Sequence, residues 1–340
     1  MNLILEKQAL PSLFQSWREH YDVYLPQKME RFSHFMPLSD DCVLVTDEPH
    51  NTRIPPKALF LPMTEALVKF TRFGGYEDAK QTIQPRIIFA IRPCDAQAVQ
   101  LLDTSFIQEG YVDPFWVEKR AKTITIGLGC HEPCQTGFCT TVGYGPFNKS
   151  DLDVLLTDLG DFYLVETLSE AGEKCFQGFS TASDEIYEKA LMVQHAAHDQ
   201  MLVAFETENL KEKLEQNFNS DYWEEISQSC LGCGVCTFLC PTCFCFDIVD
   251  EAQRKERVRN WDTCMFRTYS LEASGHNPRP SRVERTRQRL SHKFVYWLDQ
   301  VNQIGCTGCG RCVRYCPVGL DIRTMLRQAQ TLPFEVSHAG

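Results

Sequence analysis

Cys230-Leu-Gly-Cys233-Gly-Val-Cys236-Thr-Phe-Leu-Cys240-Pro241 recurs further on as Cys306-Thr-Gly-Cys309-Gly-Arg-Cys312-Val-Arg-Tyr-Cys316-Pro317. Both runs have the spacing C-x2-C-x2-C-x3-C-P, which suits a pair of [4Fe–4S] cubanes. Three cysteines two residues apart let one tight loop place thiolates on three irons. Glycines between them (Gly232, Gly234, Gly308, Gly310) allow close approach and unusual dihedrals. The fourth cysteine falls on the following turn and reaches the other cluster, and proline then turns the chain away. The expected ligand sets are therefore crossed: Cys230, Cys233, Cys236 and Cys316 for one cluster, Cys306, Cys309, Cys312 and Cys240 for the other. Structural zinc is the competing reading, but zinc normally takes four ligands in two C-x2-C pairs. Here four cysteines recur in each run at one spacing, each run closed by proline.

The rest of the chain agrees with metal rather than disulfides. It has 17 cysteines in 340 residues, an odd count in a chain too long for a small secreted scaffold. Eleven of them lie in 230–316 and three in 130–139, while 1–129 holds only Cys42 and Cys94. With 43% apolar and 23% charged residues the chain is an ordered globular protein of about two domains. A net charge of −11 argues against nucleic-acid binding by the chain as a whole. The start, MNLILEKQALPSLF, lacks the pattern of a secretory signal. No run of 18 apolar residues occurs, so a cytoplasmic chain that is not an integral membrane protein is expected.

The reading of the fold is α+β or α/β: an N-terminal α/β domain over 1–220, then a helical, bacterial-ferredoxin-like two-cluster module over 221–340. The boundary falls near Asn217–Trp223. Buried strands are expected at Cys42–Thr46, Arg86–Arg92 and Thr123–Leu128. Helices are expected at Asp95–Leu102 with Asp95 as N-cap, at Ser183–Gln200 and at Leu210–Phe218. A long basic insert, 246–300, separates the two runs. Residues 254–293 hold 11 Lys/Arg against 4 Asp/Glu. Arg279, Arg282, Arg285, Arg287, Arg289 and Lys293 stand out. Such charge could offset anionic clusters or dock an acidic partner, or it could form a solvated helix face. Cys243, Cys245, Cys264 and His292, taken singly, read as packed residues rather than ligands.

Several segments resemble a known family. They are Cys240-Pro-Thr-Cys-Phe-Cys-Phe-Asp247, Arg259-Asn-Trp-Asp-Thr-Cys264 and Glu272-Ala-Ser-Gly-His-Asn-Pro-Arg279. Pro55–Pro62, Ile91-Arg-Pro-Cys-Asp95 and Leu156–Glu166 agree with them. The chain resembles 4Fe–4S dicluster subunits, a family that includes the beta subunit of sulfhydrogenases (soluble NiFe hydrogenases) and an iron–sulfur subunit of anaerobic sulfite reductase. The resemblance implies an iron–sulfur electron-transfer subunit of a cytoplasmic, hetero-oligomeric oxidoreductase complex of anaerobic metabolism. It would relay electrons between two partners. One is a reductase subunit that binds flavin and NAD(P). The other is a catalytic redox subunit of hydrogenase or sulfite-reductase type. The sequence fits by what it lacks. No G-x-G-x-x-G follows a strand, and neither a Walker A sequence nor G-x-S-x-G occurs. No catalytic residue of its own is expected. A self-contained iron–sulfur reductase binding flavin or substrate in its N-terminal domain is the rival reading. A zinc-stabilised interaction protein is a third.

Cys94-Asp95 and Cys130-His-Glu-Pro-Cys134-Gln-Thr-Gly-Phe-Cys139 each follow an expected strand. Neighbouring strand ends of an α/β sheet converge, so these groups could meet. Cys94, Cys130 and Cys139, with Cys134 or Asp95 as fourth ligand, would hold a third [4Fe–4S] cluster. The alternative is ordinary buried cysteine. The resembled family often carries Cys-x-Cys at the end of this loop, and Gly137 here replaces the first of that pair.

Overall fold

Alternating and continuous apolar runs become strands in the computed structural model, which describes residues 1–30, 32–39, 51–72, 74–79 and 82–334. The strands are β1 (Asn2–Glu6), β2 (Asp22–Lys28), β3 (Ser33–Pro37), β4 (Thr64–Phe70), β5 (Tyr76–Asp78), β6 (Arg86–Ile91), a short hairpin β7 (Ile107–Gln108) and β8 (Tyr111–Val112), β9 (Thr123–Leu128), β10 (Val154–Asp158), β11 (Phe162–Thr167), β12 (Phe246–Glu251) and β13 (Glu256–Trp261). The expected strand Cys42–Thr46, with Cys42, lies outside the described residues.

The main sheet runs β1-β11-β10-β9-β6-β2-β3 among the described residues. Its centre, β2, β6, β9 and β10, is parallel, and antiparallel strands close both edges. A parallel sheet needs cover on both faces, and helices provide it. Leu10, Leu13, Phe14 and Trp17 of α1 (Leu10–Arg18) pack on one face with Ile87, Phe89 and Ile126. Ala96, Val99 and Leu102 of α2 (Pro93–Phe106) pack on the other with Ile88, Ile91 and Leu155. Strand β6 thus alternates faces until Ala90, which sits at φ +60 beside a register shift. That conformation is strained for a residue with a Cβ. It ends the alternation and turns the strand toward Arg92-Pro93-Cys94.

The expected helix at Asp95 exists but begins earlier. Arg92 is the N-cap of α2, and Asp95 lies in its first turn with a different task described below. After α3 (Pro114–Ala121) and α4 (Glu170–Cys175), α5 (Asp184–Asp199) is capped by Ser183, and α6 spans Leu210–Gln216, close to expectation. The C-terminal helices are α7 (Tyr222–Ser227), α8 (Val235–Phe238), α9 (Arg282–Ser291), α10 (Trp297–Val301), α11 (Arg311–Arg314) and α12 (Ile322–Gln330), with a π-helical turn His292–Tyr296 between α9 and α10. They share an apolar core around Trp223, Leu290, Phe294 and Leu326.

The insert is more than a helix. Its first part is the hairpin β12–β13, which joins β4 and β5 in a second, antiparallel sheet. Chain from both sides of residue 220 therefore shares one sheet. Buried Arg259 on β13 fixes this junction through Glu65 on β4 and Asp113 before α3. Among the described residues no helix is long and apolar enough to cross a membrane.

Candidate metal centres

The two cysteine runs fold alike. Gly234 and Gly310, at φ +76 and +75, lead into α8 and α11, which carry Cys236 and Cys312. In each run the backbone N–H of the first glycine points at the first cysteine sulfur. Gly232 N lies 3.4 Å from Cys230 Sγ, and Gly308 N lies 3.4 Å from Cys306 Sγ. Amide donors of this kind stabilise charge on sulfur. Cys230, Cys233 and Cys236 line one pocket, and Cys316 from the other run lines it with them. Its walls are apolar, with Val235, Met265, Ile322 and Met325. The Cys316 sulfur accepts the Leu320 amide at 3.3 Å. Cys233 is exposed, and neighbouring Leu231 is 65% exposed, so this pocket lies at the surface.

The second group is deeper. Cys306 and Cys240 are each 8% exposed. Charge on Cys240 acts on Cys306, Cys309 and Cys312 alike, which sets these four sulfurs together. Burial pushes Cys306 up to about 12 and Cys236 up to about 11. Cys309 and Cys312 also move up, for the same reason. Left alone, these groups would be neutral thiols. Thiolate there requires a strong cation among them, which iron supplies.

The charge of the basic insert divides. Arg282 is exposed, and Arg287 lies over the Phe218 ring. Arg289 and Lys293 turn inward and are buried. Burial alone would weaken the Lys293 charge, but Cys240, Cys243 and Cys306 reverse the effect and raise its pKa. Its Nζ donates to Thr242 Oγ1 at 2.7 Å and to the Gly305 carbonyl at 2.9 Å. Arg289 lies beside Cys236 and Cys312, and its Nε and Nη2 are buried without a hydrogen-bond partner. Orphaned guanidinium N–H groups beside buried thiols suit an anionic, thiolate-ligated cluster. They suit zinc less well. Thiolates on one zinc stand within about 3.8 Å of each other, given Zn–S of about 2.3 Å. Among the described residues no three Cys, His, Asp or Glu side chains close on one such point.

The N-terminal cysteines meet as the topology requires. Strands β6 and β9 are parallel neighbours, so their C-terminal ends share one edge of the sheet. Cys94 follows the first and Cys130 the second. Arg92 Nη1 holds the two ends together, donating to the Gly129 carbonyl at 2.9 Å. Cys134 and Cys130 both act on Cys139, and Cys134 acts on Cys130. Burial pushes Cys130 up to about 11 and Cys139 up to about 12. Asp95 is already engaged. Both its oxygens accept from Arg311, at 2.6 and 2.7 Å, in a pair 1% and 0% exposed.

Arg311 belongs to the second run, so the N-terminal group is docked on it. Phe138 N donates to the Gly308 carbonyl at 2.8 Å. A Cβ on Gly308 would meet the Phe138 carbonyl and the Cys139 amide at 2.5 Å, so only glycine permits this approach. Asn51 Nδ2 reaches both the Cys309 carbonyl, at 2.9 Å, and Cys94 Sγ, at 3.5 Å.

Taken singly in the sequence, Cys243, Cys245 and Cys264 read as core residues, but they line one pocket. The usable signal was the hairpin. Pairing Phe246 with Trp261 brings the flanking residues together, and Asp262 N donates to the Cys245 carbonyl at 2.9 Å.

Comparison with known proteins agrees with this geometry. Residues 229–320 match the family model of the 4Fe-4S dicluster domain. The chain is 29% identical over 327 residues to Sulfhydrogenase 2 subunit beta of Pyrococcus furiosus, covering 93% of this chain and 95% of that protein. No solved structure matches. Two like-folded cysteine runs inside a matched dicluster domain, on a chain alike to its relative nearly from end to end, place it in the 4Fe–4S dicluster subunit family.

Proposed function

We propose that this chain is the iron–sulfur electron-transfer subunit of an oxidoreductase complex. Two [4Fe–4S] clusters would be held by Cys230, Cys233, Cys236 and Cys316, and by Cys306, Cys309, Cys312 and Cys240. A third would be held by Cys94, Cys130, Cys139 and Cys134, since Asp95 is committed to Arg311. When bound, such clusters supply one-electron transfer.

The observation that carries the reading is contiguity. The N-terminal group abuts Cys309 through Asn51 and Gly308. Cys312 of the second group acts on Cys236 of the first. The first group ends at the surface, at exposed Cys233. Three thiol groups thus form one line from the sheet edge to solvent, with an apolar rim of Leu231 and Val318 at the open end. The chain's own residues orient sulfurs, exclude water and supply compensating charge. The relative is by name a hydrogenase subunit. That supports a place in the cytoplasm between a catalytic redox subunit and one that binds flavin and NAD(P).

The test is anaerobic purification of the chain with whatever accompanies it. The isolated chain should be brown and bleach with dithionite, yet fail to oxidise NADH or NADPH, and the native preparation should contain a flavoprotein partner. Robust NAD(P)H oxidation by the single chain with bound flavin would overturn the assignment in favour of a self-contained reductase. Zinc without iron would overturn it altogether.

A further inference from the structure

Beyond the three groups, the fold assembles a fourth set of sulfurs. Cys243 and Cys245 follow Cys240 on the strand that becomes β12, and Cys264 follows β13 across the hairpin. The Cys245 sulfur receives hydrogen bonds from the Cys264 thiol and the Tyr269 hydroxyl. Cys243 and Cys240 are hydrogen-bonded to each other. The three thiols line a pocket of about 350 Å³. The opposite wall is cationic, with Arg279, Arg289 and Lys293, and His292 stands beside them. Arg289 is 6% exposed and has two N–H groups without a partner.

We propose that Cys243, Cys245 and Cys264 hold a further iron–sulfur cluster, with its fourth position open to this pocket. The proposal rests on the reading of the chain as an iron–sulfur electron carrier. Three arguments support it. A cluster ligated by three thiolates is anionic, and the pocket wall has the charge to balance it. The sulfurs do not close on a single ion-sized point, which disfavours a mononuclear site and leaves room for a polynuclear one. Cys243 hydrogen-bonds the proposed ligand Cys240, so the centre adjoins the second group, as an electron branch requires. A redox disulfide between Cys245 and Cys264 is the competing chemistry. It would leave Cys243 and the cationic wall without a role.

The experiment uses the full chain, loaded and purified anaerobically. Iron and sulfide are counted in the wild type, in the Cys245→Ser/Cys264→Ser double variant and in Cys175→Ser, whose cysteine packs in the sheet core away from every group. The double variant should lack one cluster's complement of iron and sulfide, with the other clusters' EPR signals kept. Cys175→Ser should match the wild type. A second measurement covers a double variant that fails to fold. Wild-type protein is alkylated with iodoacetamide under nitrogen before and after iron chelation, and the labels are mapped by peptide. Cys243, Cys245 and Cys264 should label only after chelation. Full iron in the double variant, labelling of these cysteines in fully loaded protein, or a Cys245–Cys264 disulfide would overturn this proposal and leave the line of three groups standing. A wild type without iron would instead overturn the electron-transfer reading, and this one with it.

Discussion

Asp95→Asn tests the joint between the two halves of the electron path. Asp95 and Arg311 are 1% and 0% exposed and joined by two short bonds. Removing one partner of a buried pair leaves an uncompensated charge and costs about 3–5 kcal/mol. Two features favour the lower end. Arg311 Nε keeps its bond to the Thr52 carbonyl at 2.7 Å. Burial opposes the Arg311 charge, but Cys309 and Cys94 join Asp95 in sustaining it. A loss of about 3 kcal/mol at roughly 2–4 °C per kcal/mol lowers Tm by about 6–12 °C. The assay is anaerobic thermal unfolding of the loaded protein, followed by circular dichroism and by visible absorbance, beside an iron count. An Asp95→Leu/Arg311→Met double variant should recover much of the loss, because apolar replacement of a whole buried pair is close to neutral. The iron count separates two roles for Asp95. If it is a structural anchor, the variant loses stability and keeps its iron. An unchanged Tm together with iron lost from the N-terminal group would refute the ion-pair argument and restore Asp95 as a ligand.

Cys316→Ser should deplete the cluster held by Cys230, Cys233 and Cys236, not that of its own run, because Cys316 lines their pocket; site-resolved EPR after matching variants in each run decides it. Gly308→Ala and Gly143→Ala carry similar backbone strain, at φ +64 and +85, but only the first meets backbone atoms, at 2.5 Å. Gly143→Ala should cost about 1 kcal/mol and Gly308→Ala at least about 2 kcal/mol more in denaturant unfolding, with equal losses counting against the close approach. Asp151 is pushed up to about 6 by burial, against the pull of Arg120, so between about pH 4 and 6 the folded state holds more protons and stability falls as pH rises. Asp151→Asn should therefore be more stable than the wild type at pH 7, by up to about 3 kcal/mol, and no more stable below about pH 4; Arg120 keeps Asp103. Chelating the iron should abolish hydrogen-exchange protection in α9 to α12 while β6, β9 and β10 keep theirs, and uniform loss or uniform retention would contradict a metal-dependent module.

The sequence made the cluster runs legible because cubane ligation is local. Four cysteines and their glycines within eleven residues encode a loop whatever surrounds it. The N-terminal group was partly legible. Strand ends at Cys94 and Cys130 could be read, but the choice between Cys134 and Asp95 turned on Arg311, some 200 residues away in the chain. Asp95 looked like a helix cap because Ser, Asp and Asn commonly are. Pro93 and the strained Ala90 start the helix earlier instead. Cys243, Cys245 and Cys264 were missed for a related reason. Their proximity comes from the β12–β13 hairpin, whose strands read DIVDE and ERVRNW and bury little on their own. That hairpin is held by pairing with β4, a tertiary effect that no window of sequence contains.

The placement of charge explains why metal and fold belong together here. The chain is −11 overall, yet Lys57, Arg289, Lys293 and Arg311 are buried beside thiols. Arg259 shows the ordinary solution for a buried cation, two carboxylates within reach. Among the described residues Arg289 and Lys293 have no carboxylate partner. Burial pushes Lys57 down to about 8, with Cys243 and Cys240 opposing. Burying a cation against neutral thiols costs several kcal/mol, and burial keeps thiols such as Cys306 and Cys130 neutral when no metal is present. Iron removes both costs in one step. It displaces the thiol protons, and the resulting thiolates and anionic cluster meet cations already in place. The free energy of loading is then free energy of folding for the C-terminal helices. The sheet core has no such dependence. Its buried residues are apolar, and Cys175, which packs against it, lies outside every proposed ligand set.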